Sequence, residues 1–319
     1  MWEQADLQVG CMSIKTMLIF DILHFMGEFI MISVFTPTYN RAYIIDKLYN
    51  SLLGQSSKDF EWIVVDDGSS DSTEEYFQEV MKRENPFKIT YKKVHNGGKH
   101  RAINHGVKMA SGNLFFIVDS DDYLLPDAIE KILSWVSSLD DSKKWAGVSG
   151  YRGYSETKAI GTMNDIPFID CKNTERSKNK LLGDKAEVYF TDILRKYPFP
   201  EIDGERFITE EVVWNRIAKD GYYLRFYSDI IYICNYLDDG LTKNNTKARD
   251  NPKGMLVWAL GQFEAFPGDL KMKLVTCYAY YSALKGQKPL TKIAKDLNKS
   301  VFTVMMSIVA RNLKALLKR

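Results

Sequence analysis

The stretch 113–122 reads Asn113-Leu114-Phe115-Phe116-Ile117-Val118-Asp119-Ser120-Asp121-Asp122. Its first part is a continuous apolar run, which predicts a strand buried on both faces in a parallel sheet that helices cover. Its second part holds three acidic residues, which repel one another unless a cation or hydrogen-bond donors neutralise them. Carboxylate oxygens suit Mg²⁺ or Mn²⁺, ions that commonly bridge to the phosphates of a substrate. The alternative is a capped turn before the helix that holds Pro126 and Asp127, and three acids after so apolar a strand favour the metal–diphosphate site over it.

Upstream of this stretch, strands and helices alternate at short intervals. Apolar runs predict further strands at 32–35, 61–65 and 89–94, each followed by a helical pattern. Polar loops follow the predicted strands at 36–40, 66–71, 95–101 and 119–122. Right-handed crossovers place the carboxyl ends of parallel strands at one edge of a sheet. We therefore expect these loops to converge on one rim.

Downstream, the alternation fades. Residues 147–235 predict irregular, partly antiparallel strands, the clearest at 222–227 and 230–236, and from Asn251 the chain reads as helical. We predict an α/β catalytic domain over 32–240 and a basic helical region over 241–319.

Two other loops carry chemistry that a phosphate ligand would need. Asp66 and Asp67 end the second strand, where a carboxylate accepts hydrogen bonds from a base N–H or from ribose hydroxyls; the alternative is an Asx turn. Lys99 and Arg101 follow Gly97-Gly98, so they offer cations to a diphosphate while the glycines let the backbone approach it. An ordinary tight turn is the alternative for the glycine pair.

Charge is distributed unevenly along the 319 residues. The net charge is +2, but residues 271–319 hold 11 basic residues and one acid, so this tail carries +10 and the remainder carries −8. Such asymmetry indicates an anionic partner for one end of the chain. The four cysteines are scattered, a pattern that fits neither a zinc site nor a disulfide framework and indicates a reducing, cytoplasmic compartment.

The N-terminal residues 1–31 predict an extension outside the functional domain, with Met31 as an alternative start. The apolar run 12–31 is interrupted by Asp21, His24 and Glu28, which makes a poor transmembrane helix. A secretory signal is not indicated, because the run lacks a small-residue cleavage site.

Several enzyme classes lack their motifs here. The first strand is not followed by G-x-G-x-x-G, and the chain contains neither G-x-x-x-x-G-K-[ST] nor G-x-S-x-G, which argues against dinucleotide-binding dehydrogenases, P-loop NTPases and α/β-hydrolases. His95, His100 and His105 recur at five-residue intervals, so on a helix they share no face and predict no histidine metal site.

Together these motifs resemble family 2 glycosyltransferases of the GT-A fold. The order and spacing of 37–41 (PTYNR), 66–69 (DDGS) with Asp71, 96–104, and 118–122 (VDSDD) with Pro126 carry the resemblance. The segments 183–187, 197–200 and 210–216 look like those of bacterial members that build capsular or other surface polysaccharides. The resemblance implies a mixed, mostly parallel sheet flanked by helices and a C-terminal helical region. It also implies inverting transfer from a nucleoside-diphosphate sugar, most often a UDP-sugar, to an acceptor hydroxyl.

Site residues follow from the resemblance, residue by residue. Pro37 and Tyr39 would line the nucleobase of the donor, and Asp67 or Asp66 would contact uracil or ribose. Asp119 would touch the ribose or help hold Mg²⁺ or Mn²⁺, and Asp121 would bind the metal and the diphosphate. The nucleotide-binding set is completed by Lys99, Arg101 and Ser120, while no role is assigned to Asp122.

The proposed catalytic base lies in Thr209-Glu210-Glu211, where the family has a Glu-Asp pair before a helix. Inversion needs a base that takes the acceptor proton while a metal stabilises the departing diphosphate. The register from Trp214 and Arg216 favours Glu210, but Glu211 stays open. The alternative is a pair of acids that stabilise a helix N-terminus through its dipole.

The last helix is amphipathic. Its apolar face comprises Phe302, Met305, Met306, Val309, Leu313, Leu316 and Leu317, and its opposite face Ser307, Arg311, Lys314 and Lys318. Such a helix either lies in a membrane interface or packs its apolar face on the catalytic domain. We accordingly expect a saccharide or lipid-linked saccharide acceptor, no nucleic acid, and a cytoplasmic enzyme associated with the inner face of the plasma membrane.

Two other functions remain alternatives. A sugar-nucleotide nucleotidyltransferase would carry a loop rich in glycine and Lys/Arg after the first strand, where this chain has Thr36-Pro37-Thr38-Tyr39-Asn40. A non-catalytic sugar-binding protein would not need both the metal carboxylates and a base.

Overall fold

The computed structural model describes residues 30–237 and 246–317. Most of the predicted N-terminal extension, residues 1–29, lies outside the described residues, as do 238–245, which span the predicted domain boundary at residue 240.

The described strands form one mixed sheet. In spatial order it runs β3-β2-β1-β4-β9-β6-β10-β5, with β7 and β8 pairing on β6 and β10. The strands are β1 (Ile32–Thr38), β2 (Phe60–Asp66), β3 (Ile89–Lys93), β4 (Leu114–Ile117), β5 (Tyr123–Leu124), β6 (Trp145–Ser155), β7 (Lys158–Ala159), β8 (Phe168–Cys171), β9 (Lys185–Phe190) and β10 (Tyr223–Ile233).

The first half of the sheet is parallel. Strand β1 pairs in parallel with β2 and β4, and β2 with β3. Antiparallel β9 joins this block to β6, which pairs in parallel with β10. The prediction of two separate strands at 222–227 and 230–236 is wrong, because β10 is one strand whose register shifts against β6 between Phe226 and Ile230.

Helices cover both faces of the sheet. They are α1 (Ile45–Leu53), α2 (Thr73–Val80), α3 (Lys99–Met109), α4 (Ala128–Ser137), α5 (Thr191–Lys196) and α6 (Glu211–Lys219), with a 3₁₀ turn at Asn173–Glu175. Successive strand residues point to opposite faces, so Val34 and Trp62 join the core under α1, α2 and α4, while Phe35 and Ile63 join the core under α3 and α6. The predicted mixed, mostly parallel sheet flanked by helices is confirmed.

The C-terminal helices have a small core of their own. They are α7 (Lys247–Asp250), α8 (Pro252–Ala265), α9 (Leu270–Leu284), α10 (Leu290–Asp296) and α11 (Val301–Leu316). Buried side chains such as Cys277, Tyr280 and Val304 hold them together, and α8 packs on α6. Among residues 30–237 and 246–317, no helix is long and apolar enough to cross a membrane.

Polar contacts also tie α8 to the segment that precedes α6. The Asn251 Oδ1 accepts the backbone N–H groups of Arg206 and Phe207 at 2.6 and 3.1 Å. The Glu205 carboxylate accepts the N–H groups of Lys253 and Gly254, at the start of α8. The Glu205 bonds satisfy helix donors that lack partners within the helix, and both sets of bonds fix the backbone that leads to Glu210.

Candidate active site

Lys99 joins two acidic groups from distant parts of the chain. Its Nζ lies 2.6 Å from Oδ1 of Asp119 and 2.9 Å from Oε1 of Glu210. Lys99 begins α3, Asp119 follows β4, and Glu210 directly precedes α6. The rim of the parallel block therefore brings together three of the residues that the sequence singled out.

Cations dominate the electrostatics of this cluster. Burial alone would raise the pKa of Asp119, but the Lys99 and Arg152 cations outweigh it and hold that pKa at about 2. Burial would likewise raise the pKa of Glu210, and Lys99 lowers it below its usual range. Burial opposes the charge of Lys99, yet Asp119 and Glu210 raise the pKa of its ammonium group. Both carboxylates are therefore ionised at neutral pH.

Asp122 performs a structural task. It is buried, and its carboxylate accepts the Tyr232 hydroxyl at 2.6 Å and the Asn235 N–H at 2.8 Å. Burial, and next the charge of Asp119, raises the pKa of Asp122 to about 7. The Tyr232 oxygen also accepts the N–H of Asp119 at 2.9 Å, so this pair anchors the acidic loop to β10.

The carboxylate of Asp121 differs from those of Asp119 and Asp122 in having no partner within residues 30–237 and 246–317. Its half-buried carboxylate receives no hydrogen bond or ion pair from any other residue that the structure describes. Burial, and next the charge of Asp119, raises the pKa of Asp121, an effect that a bound cation would reverse.

These carboxylates fit a hard divalent cation that takes most of its ligands from elsewhere. The part of the chain that the structure describes holds no ready cluster of three His, Cys, Asp or Glu side chains around one point. Mg²⁺ usually keeps several waters and takes one or two carboxylates plus substrate phosphates. Asp121, with Asp119 two residues before it, meets that requirement.

Asp66 and Asp67 organise the neighbouring loop through the backbone. The two oxygens of Asp67 accept the N–H groups of Gly97 and Gly98 at 2.7 and 2.8 Å. The Asp66 carboxylate accepts the Tyr91 hydroxyl at 2.5 Å and the Ser69 N–H at 2.7 Å. Burial raises the pKa of Asp67, although the two glycine amides act in the opposite sense.

Gly98 is required by a close approach of two backbones. Its φ is +94°, a conformation that favours glycine, and a Cβ built there would lie 1.8 Å from the carbonyl oxygen of Arg206. The glycine pair therefore does more than form a tight turn. It brings the start of α3 against the segment that leads to Glu210.

The remaining predicted nucleotide contacts lie around this rim. Pro37 is in β1 and pairs in register with Val65, while Tyr39 follows β1 and is 48% exposed. Ser120 is buried between the acidic residues. The roles of these three in binding a base or a phosphate stay predictions.

The structure does not bring Arg101 to the acidic cluster. Its guanidinium donates to the Ile202 carbonyl at 2.7 Å and lies 3.8 Å from a Glu201 oxygen. Residues two apart on a helix are rotated by about 200°, so Lys99 and Arg101 on α3 point in different directions. Its contact to the nucleotide stays a prediction.

The two candidate bases also point differently. Glu210 meets Lys99 at the rim, whereas Oε2 of Glu211 accepts the Trp258 indole N–H at 2.8 Å and so faces α8. Of the two, only Glu210 contacts the acidic cluster.

Sequence reasoning missed Arg152, Tyr232 and Asn235. Arg152 lies in β6, with Nη1 3.4 Å from Asp119 and its guanidinium carbon 4.3 Å from the centre of the Tyr232 ring. In the sequence these residues appear only as charged, aromatic or amide side chains within an irregular strand pattern. That pattern does not reveal that β6 and β10 run side by side. Their pairing brings these groups to the acidic loop.

Comparison with known proteins identifies the family. The model described as Glycosyl transferase family 2 matches residues 33–197, more than half of the chain. The chain belongs to this family. It is 37% identical over 283 residues to a GalNAc(5)-diNAcBac-PP-undecaprenol beta-1,3-glucosyltransferase of Campylobacter jejuni, with 85% of this chain and 87% of the relative covered.

Solved structures share the fold of this glycosyltransferase. S. aureus TarS 1–349 in complex with UDP-GlcNAc has a TM-score of 0.59 at 20% identity, covering 81% of this chain and 74% of TarS. Mannosyltransferase PcManGT from Pyrobaculum calidifontis, in complex with GDP-Man and Mn²⁺, has a TM-score of 0.50 at 16% identity, covering 87% and 86%. The predicted GT-A fold and glycosyltransferase class are confirmed, which decides against the nucleotidyltransferase alternative.

Proposed function

We propose that the chain is an inverting, metal-dependent glycosyltransferase that moves a sugar from a UDP-sugar to a hydroxyl of a lipid-linked saccharide. The name of the Campylobacter relative describes a β-1,3-glucosyltransferase whose acceptor is a saccharide on PP-undecaprenol. The TarS complex contains UDP-GlcNAc, and the PcManGT complex contains Mn²⁺. These names support a UDP-linked donor, a divalent cation and an acceptor in the assembly of bacterial surface polysaccharide.

The observation that carries the proposal is the bridge from Asp119 through Lys99 to Glu210. Through the side chain of Lys99, it joins the acidic loop, which we propose binds the donor diphosphate, to the proposed catalytic base. Transfer needs this proximity, since the acceptor hydroxyl must lie between the base and the anomeric carbon of the donor.

On the donor side, the proposed contacts divide by chemistry. Pro37 and Tyr39 line the nucleobase, with Asp67 or Asp66 beside it, and Lys99 offers its cation to the phosphates. A contact of Arg101 with the phosphates would require its guanidinium to leave the Ile202 carbonyl. Asp121, with Asp119, would hold Mg²⁺ or Mn²⁺. When bound, that ion supplies positive charge against the charge that develops on the departing diphosphate.

On the acceptor side, Glu210 is the proposed base. Its lowered pKa keeps the carboxylate ionised at neutral pH, so it can take the proton of the acceptor hydroxyl as the oxygen attacks the anomeric carbon. The bond to the diphosphate breaks on the opposite face, and the configuration is inverted. Glu211 is already bound to Trp258, which supports Glu210 over its neighbour.

The lipid-linked acceptor also sets the proposed location. An acceptor held in a bilayer would bring this enzyme, with its cytoplasmic donor, to the inner face of the plasma membrane.

A donor panel tests the proposal. The purified chain is incubated with Mn²⁺, UDP- and GDP-sugars and a lipid-linked saccharide, and release of the nucleoside diphosphate is measured. We expect UDP release from one UDP-sugar and, by NMR of the product, a linkage of opposite anomeric configuration to the donor. Release from no donor, or retention of configuration, would contradict the proposal.

A further inference from the structure

The apolar face of α11 is open to solvent. Its seven residues have exposed fractions from 41% at Met306 to 88% at Leu317. A contiguous exposed apolar surface of this kind generally marks an interaction site.

This exposure results from the way α11 packs. Val304 and Ser307 are buried against the C-terminal core, and residues three apart lie on one side of a helix. The helix thus uses its opposite face for packing on α9. The alternative in which the apolar face packs on the catalytic domain is therefore wrong.

The surroundings of this face are cationic. Residues 271–319 carry 11 basic residues against the single acid Asp296, and that acid is already paired with Lys288 and Lys292. Lys299 precedes α11, and Arg311 and Lys314 lie within it. The charge of this region complements an anionic partner.

Two kinds of partner could cover an apolar face, and charge separates them. A second copy of this chain would bring another region of +10 against the first, which is repulsive. An anionic bilayer accepts apolar side chains at its interface and attracts the net positive charge of residues 271–319. Charge and apolarity together therefore favour a lipid surface.

We infer that the apolar face of α11 docks on an anionic lipid bilayer, to which the net positive charge of residues 271–319 attracts it. The inference deepens the proposed function, because docking would hold the enzyme where a lipid-linked acceptor is found. It rests on the exposed face and the local charge, which can be tested without any substrate.

Vesicle sedimentation of the full chain tests the docking. Vesicles of phosphatidylcholine are compared with vesicles in which about one third of the lipid is phosphatidylglycerol. We expect binding to the anionic vesicles that weakens as salt is added, and much weaker binding to phosphatidylcholine alone. Equal or absent binding to both kinds of vesicle would overturn the inference.

Matched variants locate the surface. Leu313→Gln with Leu316→Gln changes two exposed residues outside the core and should lower the partition coefficient at least roughly tenfold. Lys314→Glu should lower it about fivefold at low salt. The control Ile166→Gln alters a residue in the catalytic domain that is 51% exposed, against 55% for Leu313 and 65% for Leu316, and should bind like the wild type. A double variant that binds as well as the wild type would overturn the inference.

Two further measurements separate the remaining outcomes. A concentration-dependent dimer that the double variant dissolves, seen by analytical ultracentrifugation, would identify a second copy as the occupant and overturn the inference. Transfer to a detergent-dispersed acceptor should be the same for the double variant and the wild type. Vesicle binding without transfer from any nucleotide sugar would contradict the proposed function alone, and transfer without vesicle binding would contradict the docking alone.

Discussion

The two acidic loops at the rim look alike in sequence and differ in how their charge is satisfied. Asp67, after β2, is held by the backbone N–H groups of Gly97 and Gly98. Asp119, after β4, is held by the side-chain cations of Lys99 and Arg152, and the carboxylate of Asp121 near it has no partner among the described residues. Burial raises the pKa of Asp67, whereas the cations overcome burial and lower that of Asp119.

The difference separates a fixed site from an exchangeable one. Backbone amides cannot leave Asp67 unless the loop moves, so that carboxylate stabilises the rim. The lysine side chain can turn away without moving the backbone, so the second loop can exchange the charge of Lys99 for that of a metal or a substrate. The acidic residues with catalytic roles should therefore be those with mobile partners or none.

Asp121→Asn should give the largest loss of activity. Without this carboxylate the metal site fails, and we expect turnover to fall by roughly 10⁴-fold, as for the loss of several kcal/mol of charge stabilisation. Because burial and Asp119 raise the pKa of Asp121, the free protein should be at least as stable as the wild type in urea unfolding. EDTA should abolish wild-type activity, and added Mn²⁺ should restore it. Activity that survives both treatments would remove the metal from the mechanism.

Glu210→Gln should follow, with a loss that falls on turnover. We expect kcat to drop by roughly 10²–10³-fold with little change in the KM for the donor, because the lost group acts on the acceptor proton. Glu211→Gln is the matched control and should keep most of the activity, since its partner Trp258 lies on α8. If steady-state kinetics showed the large loss in Glu211→Gln instead, the base would be Glu211.

Asp67→Asn should mainly cost stability. One oxygen that accepts a glycine N–H is replaced by an amide NH₂ group, so one backbone donor loses its acceptor, and we expect a loss of about 1–3 kcal/mol in the free energy of unfolding. Urea unfolding measures it, with Asp121→Asn as the control of similar chemistry. An Asp67→Asn variant as stable as the wild type would show that the glycine amides do not depend on this carboxylate.

Asp119→Asn should have the smallest effect on stability, and that effect should depend on pH. The pKa of Asp119 is lowered from 3.8 to about 2 in the folded chain, so its ion pairs stabilise the fold above pH 3.8 and are lost as the pH falls towards 2. We expect the variant to be less stable by about 1–2 kcal/mol at neutral pH, and the difference to shrink by about pH 3. Urea unfolding at both pH values measures this; a constant difference would mean that Asp119 does not titrate with a lowered pKa.

The sequence predicts the rim well because its information is local. Each polar loop directly follows an apolar strand, and the rule for parallel sheets gathers such loops at one edge. The bridge from Asp119 to Glu210 through Lys99 uses residues that were each identified from their own motif. The sequence does not reveal which carboxylates have hydrogen-bond or ion-pair partners, because those partners come from residues far along the chain.

Arg152 and Tyr232 illustrate the limit. They reach Asp119 through the pairing of β6 with β10, and no short-range pattern encodes a contact between strands so far apart in sequence. Arg101 is instead predicted to be near the acidic cluster and is not. Lys99 and Arg101 look equivalent in the sequence, but two residues apart on a helix they point in different directions. The exposure of the apolar face of α11 also could not be predicted locally, because it results from the packing of the opposite face on α9.

The contacts between α8 and the segment before α6 have a consequence for how this protein can be divided. Asn251 accepts the N–H groups of Arg206 and Phe207, and Trp258 donates to Glu211. These contacts hold in place the segment that ends in the two candidate catalytic bases. A chain that ends before Asn251 would lose these contacts but would keep every described strand of the sheet. A chimera that takes its C-terminal helices from a relative should therefore take residues 205–211 from the same relative, so that these contacts are kept.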